Sequence, residues 1–444
     1  MTIYRESKTI LFIATPLIIG QIGQMLLGMV DTIMIAKLGV TELAALTLAN
    51  NLFYVPFVFG IGILTCISVR TSTARGAGDA EQARSICRNG VYLGLIIGIL
   101  FFLITALTSD VLNHMKQDPE VAQRAHTFYL IIMASLIPAM VGMGLKNHAD
   151  ALNRVWSAFW ISIFGVLLNV LLNWILIYGN LGAPKLGLEG AGIATLSSRV
   201  IIVIVMLIWF AKDSSLAEWT PYRWFRKLDF TEIKSLVKLG LPSGLQTLSE
   251  VGAFVTAGII IGWFGKEALA AQNIAMVCAG LAFMIPLGLS IALTMRVGEK
   301  VGQRSTTDLH KTYFSGWLIT LIFSTMTACI LLFFRESIAE SFIDAPTVVA
   351  LASSFLIIAG IFQIVDGQQV ASIGMLRGLQ DTKFPAIICF TSYWILGIPF
   401  GYWLAFNQEM GPVGIWWGIA VGLTFASILL GIRLWKKPIT HPKN

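Results

Sequence analysis

Three acidic residues interrupt stretches of sequence that are otherwise as apolar as membrane-spanning helices. Asp31 lies in GMVDTIMIA, Glu250 in TLSEVGAFV and Asp366 in FQIVDGQQV. A carboxylate near the centre of a bilayer costs about 2.5 to 3.5 kcal/mol on insertion scales, so it usually faces a water-filled cavity, a counter-ion or a proton. The pattern therefore favours a chain that moves a cation.

The two acids of the second half have amide neighbours at helical spacing. Gln246 precedes Glu250 by four residues, and Gln363 and Gln369 lie three residues before and after Asp366. Residues three or four apart share one face of a helix. Carboxylate and amide oxygens are ligands that hard cations prefer. This grouping predicts an Na+ or H+ site, and general cavity lining is the alternative role of the glutamines.

The acid of the first half has a similar setting. Asp31 continues a helical stripe that includes Gln24, and Asn169 and Asn173 share a face of another apolar run. Thr195 belongs to the run after that. The amides tilt the expectation towards Na+, although ordinary hydrogen bonds between membrane helices explain the asparagines and the threonine equally well.

Twelve long apolar runs must position these side chains. The chain has 444 residues, of which 56% are hydrophobic and 12% charged, and its mean hydropathy is +0.78. A spanning helix needs about 20 apolar residues, and continuous rather than alternating runs indicate helices and not barrel strands. The sequence predicts an all-α integral membrane protein. The predicted spans are residues 9–36, 43–69, 86–107, 121–145, 155–178, 187–211, 233–263, 268–295, 312–334, 347–376, 384–406 and 411–435.

An internal repeat organises the chain into two six-helix lobes. A shift of 226 residues places Pro16 on Pro242 and Arg70 on Arg296. An even number of spans in each half gives both repeats the same orientation, as in some transporter folds. The expected domains are an N-terminal lobe (1–211), a cytoplasmic linker (212–232) and a C-terminal lobe (233–444).

Prolines inside the spans predict bends, because proline lacks an N–H and frees a backbone carbonyl. Each bend is either a static kink or a moving joint. Pro16 has particular interest because it shares a span with Asp31. The candidates are Pro16, Pro56, Pro138, Pro242, Pro286 and Pro399.

The basic residues predict the orientation in the membrane. With both termini inside, 24 of the 31 Lys and Arg residues fall in inner connections, as short cytoplasmic loops require. The formal net charge of +7 is spread over these connections. Topology and anionic lipid explain it, so membrane lipid is an expected partner and nucleic acid is not.

Motifs of enzyme chemistry are absent from the sequence. It has no P-loop, GxSxG, HExxH or nucleotide fingerprint, so we expect no enzyme activity, no cofactor apart from a coupling ion, and no ATP-driven step. No ATPase subunit is implied, and a monomer is expected.

Several motifs together resemble the multidrug and toxic compound extrusion (MATE) family, in its NorM branch. They are VDTIMIAKLG followed by ELAALTLA in the first half, and LPSGLQTLSEVGAF, ALAAQNIA, FMIPLGLSIA and VDGQQVASIGMLRGLQDTKFP in the second. The resemblance covers essentially the whole chain. It implies the MATE fold and the export of organic, often cationic and aromatic, drugs from a bacterial cytoplasmic membrane. Export would be driven by inward flow of Na+ or H+ through alternating access.

The resemblance also implies roles for individual residues. Phe283 falls where relatives can have a cation-contacting tyrosine, which leaves its ring for a cation–π contact. The alternative for each acid is a protonated side chain, or one paired with Arg199, without a part in transport. The expected cation-coupling residues are Asp31, Glu250, Asp366, Asn169, Asn173 and Thr195. The expected substrate-cavity residues are Gln24, Gln246, Phe283 and Gln363.

Three other functions remain beside drug export. A lipid-linked saccharide flippase of the same superfamily would tend to have more spans and a strongly basic cavity, and neither is evident in the sequence. An uncoupled channel or receptor would show no counter-transport under an imposed gradient. A membrane-embedded enzyme would need a nucleophile, metal or cofactor motif.

Overall fold

The computed structural model describes residues 2–109, 118–225 and 227–437. In this part of the chain, twelve helices are long and apolar enough to cross a membrane, and no strand occurs. The prediction of an all-α membrane protein is confirmed. The helices are α1 (Ile3–Ala36), α2 (Val40–Ala77), α3 (Ala80–Thr108), α4 (Pro119–Ala151), α5 (Val155–Tyr178), α6 (Gly187–Lys212), α7 (Phe230–Gly262), α8 (Lys266–Gly302), α9 (Thr306–Phe333), α10 (Pro346–Gly378), α11 (Lys383–Phe406) and α12 (Pro412–Lys436).

Two of the six prolines coincide with interruptions of helical geometry. Pro138 leaves the carbonyl of residue 134 without a helical donor, and α4 breaks into Pro119–Ala134 and Leu136–Ala151. In α11, Pro399 follows a π-helical segment at Thr391–Gly397. The other four prolines lie inside continuous helices. The expectation of a bend at each proline therefore corresponds to a break in helical geometry at two of the six positions.

The chain packs into two compact units. Unit A is Ile19–Gly244, and unit B combines the described residues of Met1–Ile18 with those of Leu245–Asn444. The boundaries of these units differ in two helices from those of the two lobes expected from the repeat. The first half of α1 packs with the second repeat, and the first half of α7 packs with the first repeat.

Each unit has its own core of large side chains. In unit A, Leu64 and Ile67 are fully buried in a cluster that includes Met140. In unit B, the Trp416 ring is 0% exposed and stacks on Phe355 and Phe362 at centroid distances of 5.3 and 5.8 Å. These cores hold the polar side chains described below in place.

Close backbone contacts bind the first half of α7 into unit A. A Cβ added at Gly62 would lie 2.6 Å from the Gly244 Cα, and one at Gly240 would lie 2.2 Å from the Ile63 carbonyl oxygen. Only glycine permits so close an approach.

The repeat-equivalent contact binds the first half of α1 into unit B. Gly288, which is Gly62 shifted by 226 residues, would place a Cβ 2.9 Å from the Ile18 backbone nitrogen. The helices α1 and α7 are therefore held in the same way, each on the second helix of the other repeat.

Some cations assigned to connections by the sequence analysis lie inside helices instead. Arg296 and Lys300 are 6% and 5% exposed within α8, and Arg377 belongs to the last turn of α10. The assignment of these three cations to loops was wrong, because long helices extend past their apolar centres. The cytoplasmic location of both termini remains a prediction. Arg226 and Lys443, which were counted on the inner side, and Lys116, which was counted on the outer side, lie outside the described residues.

Candidate functional site

The fold brings the two acids of the second repeat near each other in unit B. Glu250 on α7 and Asp366 on α10 lie close enough for their charges to interact. Asp366 is 4% exposed, and Glu250 is half-buried. A buried carboxyl whose charge interacts with that of a half-buried one has a strong demand for a cation or a proton.

Glu250 is linked to a guanidinium through an amide. The Arg377 guanidinium donates to the Gln246 Oε1 atom at 2.6 Å, and the Gln246 Nε2 atom donates to the Glu250 Oε2 atom at 3.3 Å. Gln246 is 3% exposed, so it orients the acid in addition to any contact with a solute. A cation at Glu250 would experience repulsion from Arg377.

Sequence reasoning missed Arg377 because it assigned this residue to a loop. A usable signal was present. Arg377 follows Asp366 by 11 residues, which is close to three turns of an α-helix. Extending α10 to Gly378 would have placed both residues on the same face.

Asp366 and the glutamines three residues before and after it on α10 carry buried acceptor oxygens without a hydrogen-bond partner among the described residues, and the Gln363 Nε2 donor also has none. The oxygens are the Asp366 Oδ1, Gln363 Oε1 and Gln369 Oε1 atoms. Both glutamines are 0% exposed. Buried acceptors are normally satisfied, and Na+ takes carboxylate and amide oxygens as ligands. The residues present therefore fit a cation at Asp366.

The π-helical segment of α11 reaches both acid-bearing helices through consecutive residues. The Gln369 Nε2 atom on α10 donates to the Tyr393 hydroxyl, and the Trp394 Nε1 atom donates to the Ser249 carbonyl on α7 at 3.0 Å. Tyr393 is 4% exposed. π-Bulges are frequent at functional sites, and this one supports the residues beside both acids.

In unit A, the four residues expected at a first cation site form a connected hydrogen-bond chain. The Asn173 Nδ2 atom donates to the Asp31 Oδ1 atom at 2.7 Å and to the Asn169 Oδ1 atom at 3.0 Å. The Asn169 Nδ2 atom donates to the Thr195 hydroxyl at 3.3 Å and to the Ser198 hydroxyl at 3.4 Å. Helices α1, α5 and α6 thus meet at these side chains, and Ser198 is an addition that the sequence did not suggest.

One oxygen of this chain of hydrogen bonds is unused. The Asn173 Oδ1 atom is buried and has no partner among the described residues, while the Asn173 side chain is 0% exposed. An orphaned amide oxygen next to the Asp31 carboxylate is a suitable ligand for a hard cation. The same geometry also serves as interhelical packing.

Arg199 is held by aromatic rings and a hydroxyl. Its guanidinium donates to the Ser135 hydroxyl at 2.6 Å and lies 5.2 Å from the Phe53 ring centroid and 5.5 Å from that of Phe57. Asp31 is the acid whose charge acts on it, without a direct ion pair among the described residues. The break in α4 at Ser135 therefore has a role in positioning this cation.

Two residues expected in the substrate cavity have no polar or ring contact with the acids in the described part of the chain. Gln24 is exposed on α1, and Phe283 is half-buried on α8. No aromatic or cation–π pair among the described residues includes Phe283. Their assignment to the cavity stays a prediction.

Comparisons with known proteins show what this arrangement is similar to. The sequence profile of the MatE family matches residues 16–175 and 242–403. The multidrug resistance protein MdtK of Yersinia pseudotuberculosis serotype O:1b (strain IP 31758) is 33% identical over 434 residues, which are 97% of this chain and 95% of that protein. MdtK of Yersinia enterocolitica serotype O:8 / biotype 1B is 32% identical over the same share of each chain.

Solved structures share the fold. The eukaryotic MATE transporter AtDTX14 has a TM-score of 0.89 at 22% identity, covering 98% of this chain and 97% of that one. A transporter of the MOP superfamily from Pyrococcus furiosus has a TM-score of 0.88 at 21% identity, covering 97% of both chains. The fold of this chain is thus the fold of these solved transporter structures.

Proposed function

The chain belongs to the MatE family of membrane transporters, which are not enzymes, and from this premise we propose that it exports organic, often cationic and aromatic, drugs in exchange for Na+. Its relatives named multidrug resistance proteins support the substrate class. The observation that carries the coupling is the buried Asp366 beside Glu250, with orphaned oxygens from Gln363 and Gln369.

Exchange follows from competition for the same negative charge. The Glu250 and Asp366 carboxylates attract either a cationic drug or the coupling ion. The binding of one then weakens the binding of the other, by a coupling free energy that is reciprocal. Gln246 orients Glu250, and the amide oxygens beside Asp366 favour a metal ion over a proton, because a bare carboxylate would suffice for H+.

The first repeat supplies a second candidate ion site. Asp31 and Asn173 are joined at 2.7 Å, and the unused Asn173 oxygen would complete the ligand set with Asn169 and Thr195. Arg199 limits the net negative charge at Asp31. Binding at this site would bias the conformation of α1, which passes from unit B to unit A after Ile18.

Alternating access is the proposed mechanism of movement. Helices α1 and α7 each contribute to both units, and each carries an acid after its transition. Ion binding at these acids would thereby act on the helices shared by the units. We further propose insertion in a bacterial inner membrane, as the Gram-negative relatives suggest. The excess of Lys and Arg in alternate connections supports both termini being cytoplasmic.

The test is ethidium efflux from vesicles with the purified protein, run separately under an Na+ gradient and a pH gradient. Glu250→Gln and Asp366→Asn should each abolish driven efflux, whereas Glu340→Gln, an exposed acid, should leave it unchanged. Full transport by both site variants would refute the assignment. Efflux that is driven by the pH gradient and not by the Na+ gradient would identify H+ as the coupling ion.

A further inference from the structure

We propose that a basic cleft on the connection between α6 and α7 binds the headgroup of an anionic phospholipid. The cleft has a volume of about 1320 Å³ and lies entirely within unit A. This lipid site is separate from the transport acids and does not depend on the proposed export function. Its basic lining residues are Arg84 and Arg88 from α3, and Arg223 and Lys227 from the connection.

The charge of the cleft favours an anion. Two acidic side chains, Glu81 and Asp229, stand against the four basic ones. The Asp229 Oδ1 atom is already engaged, because it accepts hydrogen bonds from the backbone N–H groups of Thr231 at 3.0 Å and Glu232 at 3.2 Å. Asp229 therefore serves as the N-cap of α7, and the guanidinium and ammonium groups dominate the lining.

Arg88 provides an unused donor at the cleft. Its Nε atom is buried and has no hydrogen-bond partner among the described residues. A buried donor without an acceptor is costly, and a guanidinium matches the oxygens of a phosphate group in a two-pronged geometry. Because this atom is shielded from solvent, a phosphate bound in the cleft would satisfy it only after the Arg88 side chain turns towards the cleft that it lines.

The connection is tied to α3, so the cleft has fixed walls. The Arg84 guanidinium donates to the Glu218 carbonyl at 3.1 Å and lies 5.3 Å from the Tyr222 ring centroid. The Tyr92 hydroxyl donates to the Trp224 carbonyl at 2.9 Å. The backbone N–H of Asp229 also donates to the Asn89 Oδ1 atom at 3.2 Å. Three hydrogen bonds and one cation–π contact thus tie side chains of α3 to the connection.

Aromatic rings around the cleft indicate a lipid rather than a soluble anion. Tyr222, Phe225 and Phe230 are 73%, 99% and 75% exposed. Phe230 is the first residue of α7, and Tyr222 and Phe225 lie in the connection that follows α6. A connection between two spanning helices faces the headgroup layer. Aromatic side chains are enriched at that interface, and basic residues there are attracted to anionic lipid. A free phosphate ion has no apolar part that could contact these rings.

The experiment measures phosphatidylglycerol binding to the full-length purified protein by native mass spectrometry in detergent. Arg88→Gln with Arg223→Gln should weaken binding by about tenfold or more. The matched control, Lys383→Gln with Lys436→Gln, removes two exposed charges outside the cleft and should bind as the wild type does. Phosphatidylcholine should bind weakly to all three proteins.

Other outcomes would overturn the proposal. Equal losses in the two double variants would show a general charge effect, and unchanged binding in the cleft variant would exclude the site. Displacement of the lipid by inorganic phosphate at equal concentration would assign the cleft to a soluble anion. If the first double variant does not fold, a second one, Arg223→Gln with Lys227→Gln, replaces it. Both residues are exposed on the connection, and the same loss of phosphatidylglycerol binding is expected.

Discussion

Glu6 on α1 and Arg296 on α8 form a two-pronged buried ion pair. The Arg296 Nε atom donates to one Glu6 oxygen at 2.6 Å, and a terminal nitrogen donates to the other at 2.8 Å. The two side chains are 1% and 7% exposed. The matched planar geometry of guanidinium and carboxylate fixes the first turns of α1 on α8 within unit B.

The repeat generates a second pair of the same kind in unit A. The 226-residue shift maps Glu6 onto Glu232 and Arg70 onto Arg296. A terminal nitrogen of Arg70 contacts the two Glu232 oxygens at 3.2 and 3.4 Å. Each repeat thus contributes one acid and one arginine, and each acid pairs with the arginine of the other repeat.

The two pairs should differ in their contribution to stability. Glu6→Gln should lower the free energy of unfolding by about 3 kcal/mol, since it leaves a buried guanidinium with only part of its pairing. Glu232→Gln should cost about 1 kcal/mol, because its pair is more exposed, at 19% and 14%. Thermal melting of the detergent-solubilised protein measures both. The reverse order of melting temperatures would contradict the assigned roles.

Gly62→Ala should destabilise the protein by about 1 to 3 kcal/mol through overpacking. Its Cβ would meet the Gly244 Cα at 2.6 Å, and a backbone atom cannot move aside as a side-chain tip can. The control is Gly23→Ala, whose Cβ would lie 3.8 Å from the tip of Ile163. A comparison of melting temperatures tests this prediction, and equal values would show that α7 is not tightly held on α2.

Arg377→Gln should increase the apparent affinity for the coupling ion. Removing the positive charge that acts on Glu250 lowers the repulsion felt by an incoming cation. A gain of about tenfold corresponds to about 1.4 kcal/mol. The half-saturating Na+ concentration of efflux is the measurement. Arg377→Lys keeps the charge and should stay near the wild type, while a higher half-saturating concentration in Arg377→Gln would contradict the charge argument.

Asn173→Leu should weaken ion-dependent transport while the protein still folds. Leucine has a similar volume but cannot join Asp31 to Asn169. Ser162→Ala is the control on the same helix, because the Ser162 hydroxyl donates to the Ala158 carbonyl within α5 and has no other hydrogen bond among the described residues. Ion-dependent quenching of tryptophan fluorescence and vesicle efflux report the effect. Ion-dependent transport by Asn173→Leu at the wild-type level would show that the hydrogen bonds among Asp31, Asn173 and Asn169 serve only helix packing.

The helices and the repeat could be predicted because their signals are local or periodic. Twelve apolar runs predicted twelve helices, since each must satisfy its own backbone within lipid. The positions of Asp31, Glu250 and Asp366 within such runs were sufficient to nominate them, because a charge in an apolar segment is costly wherever that segment packs. The shift of 226 residues likewise required only the chain itself.

The partners of these residues depended on contacts far apart in sequence. Arg377 reaches Gln246 across 131 residues, and Glu6 reaches Arg296 across 290. Such pairings follow from how helices pack, which the hydropathy of a span does not encode, since lipid tails are as apolar as the residues between helices. The amino-acid sequence by itself determined which helices form and which charges they must bury, and the tertiary structure alone decided which donors, oxygens and rings surround each charge.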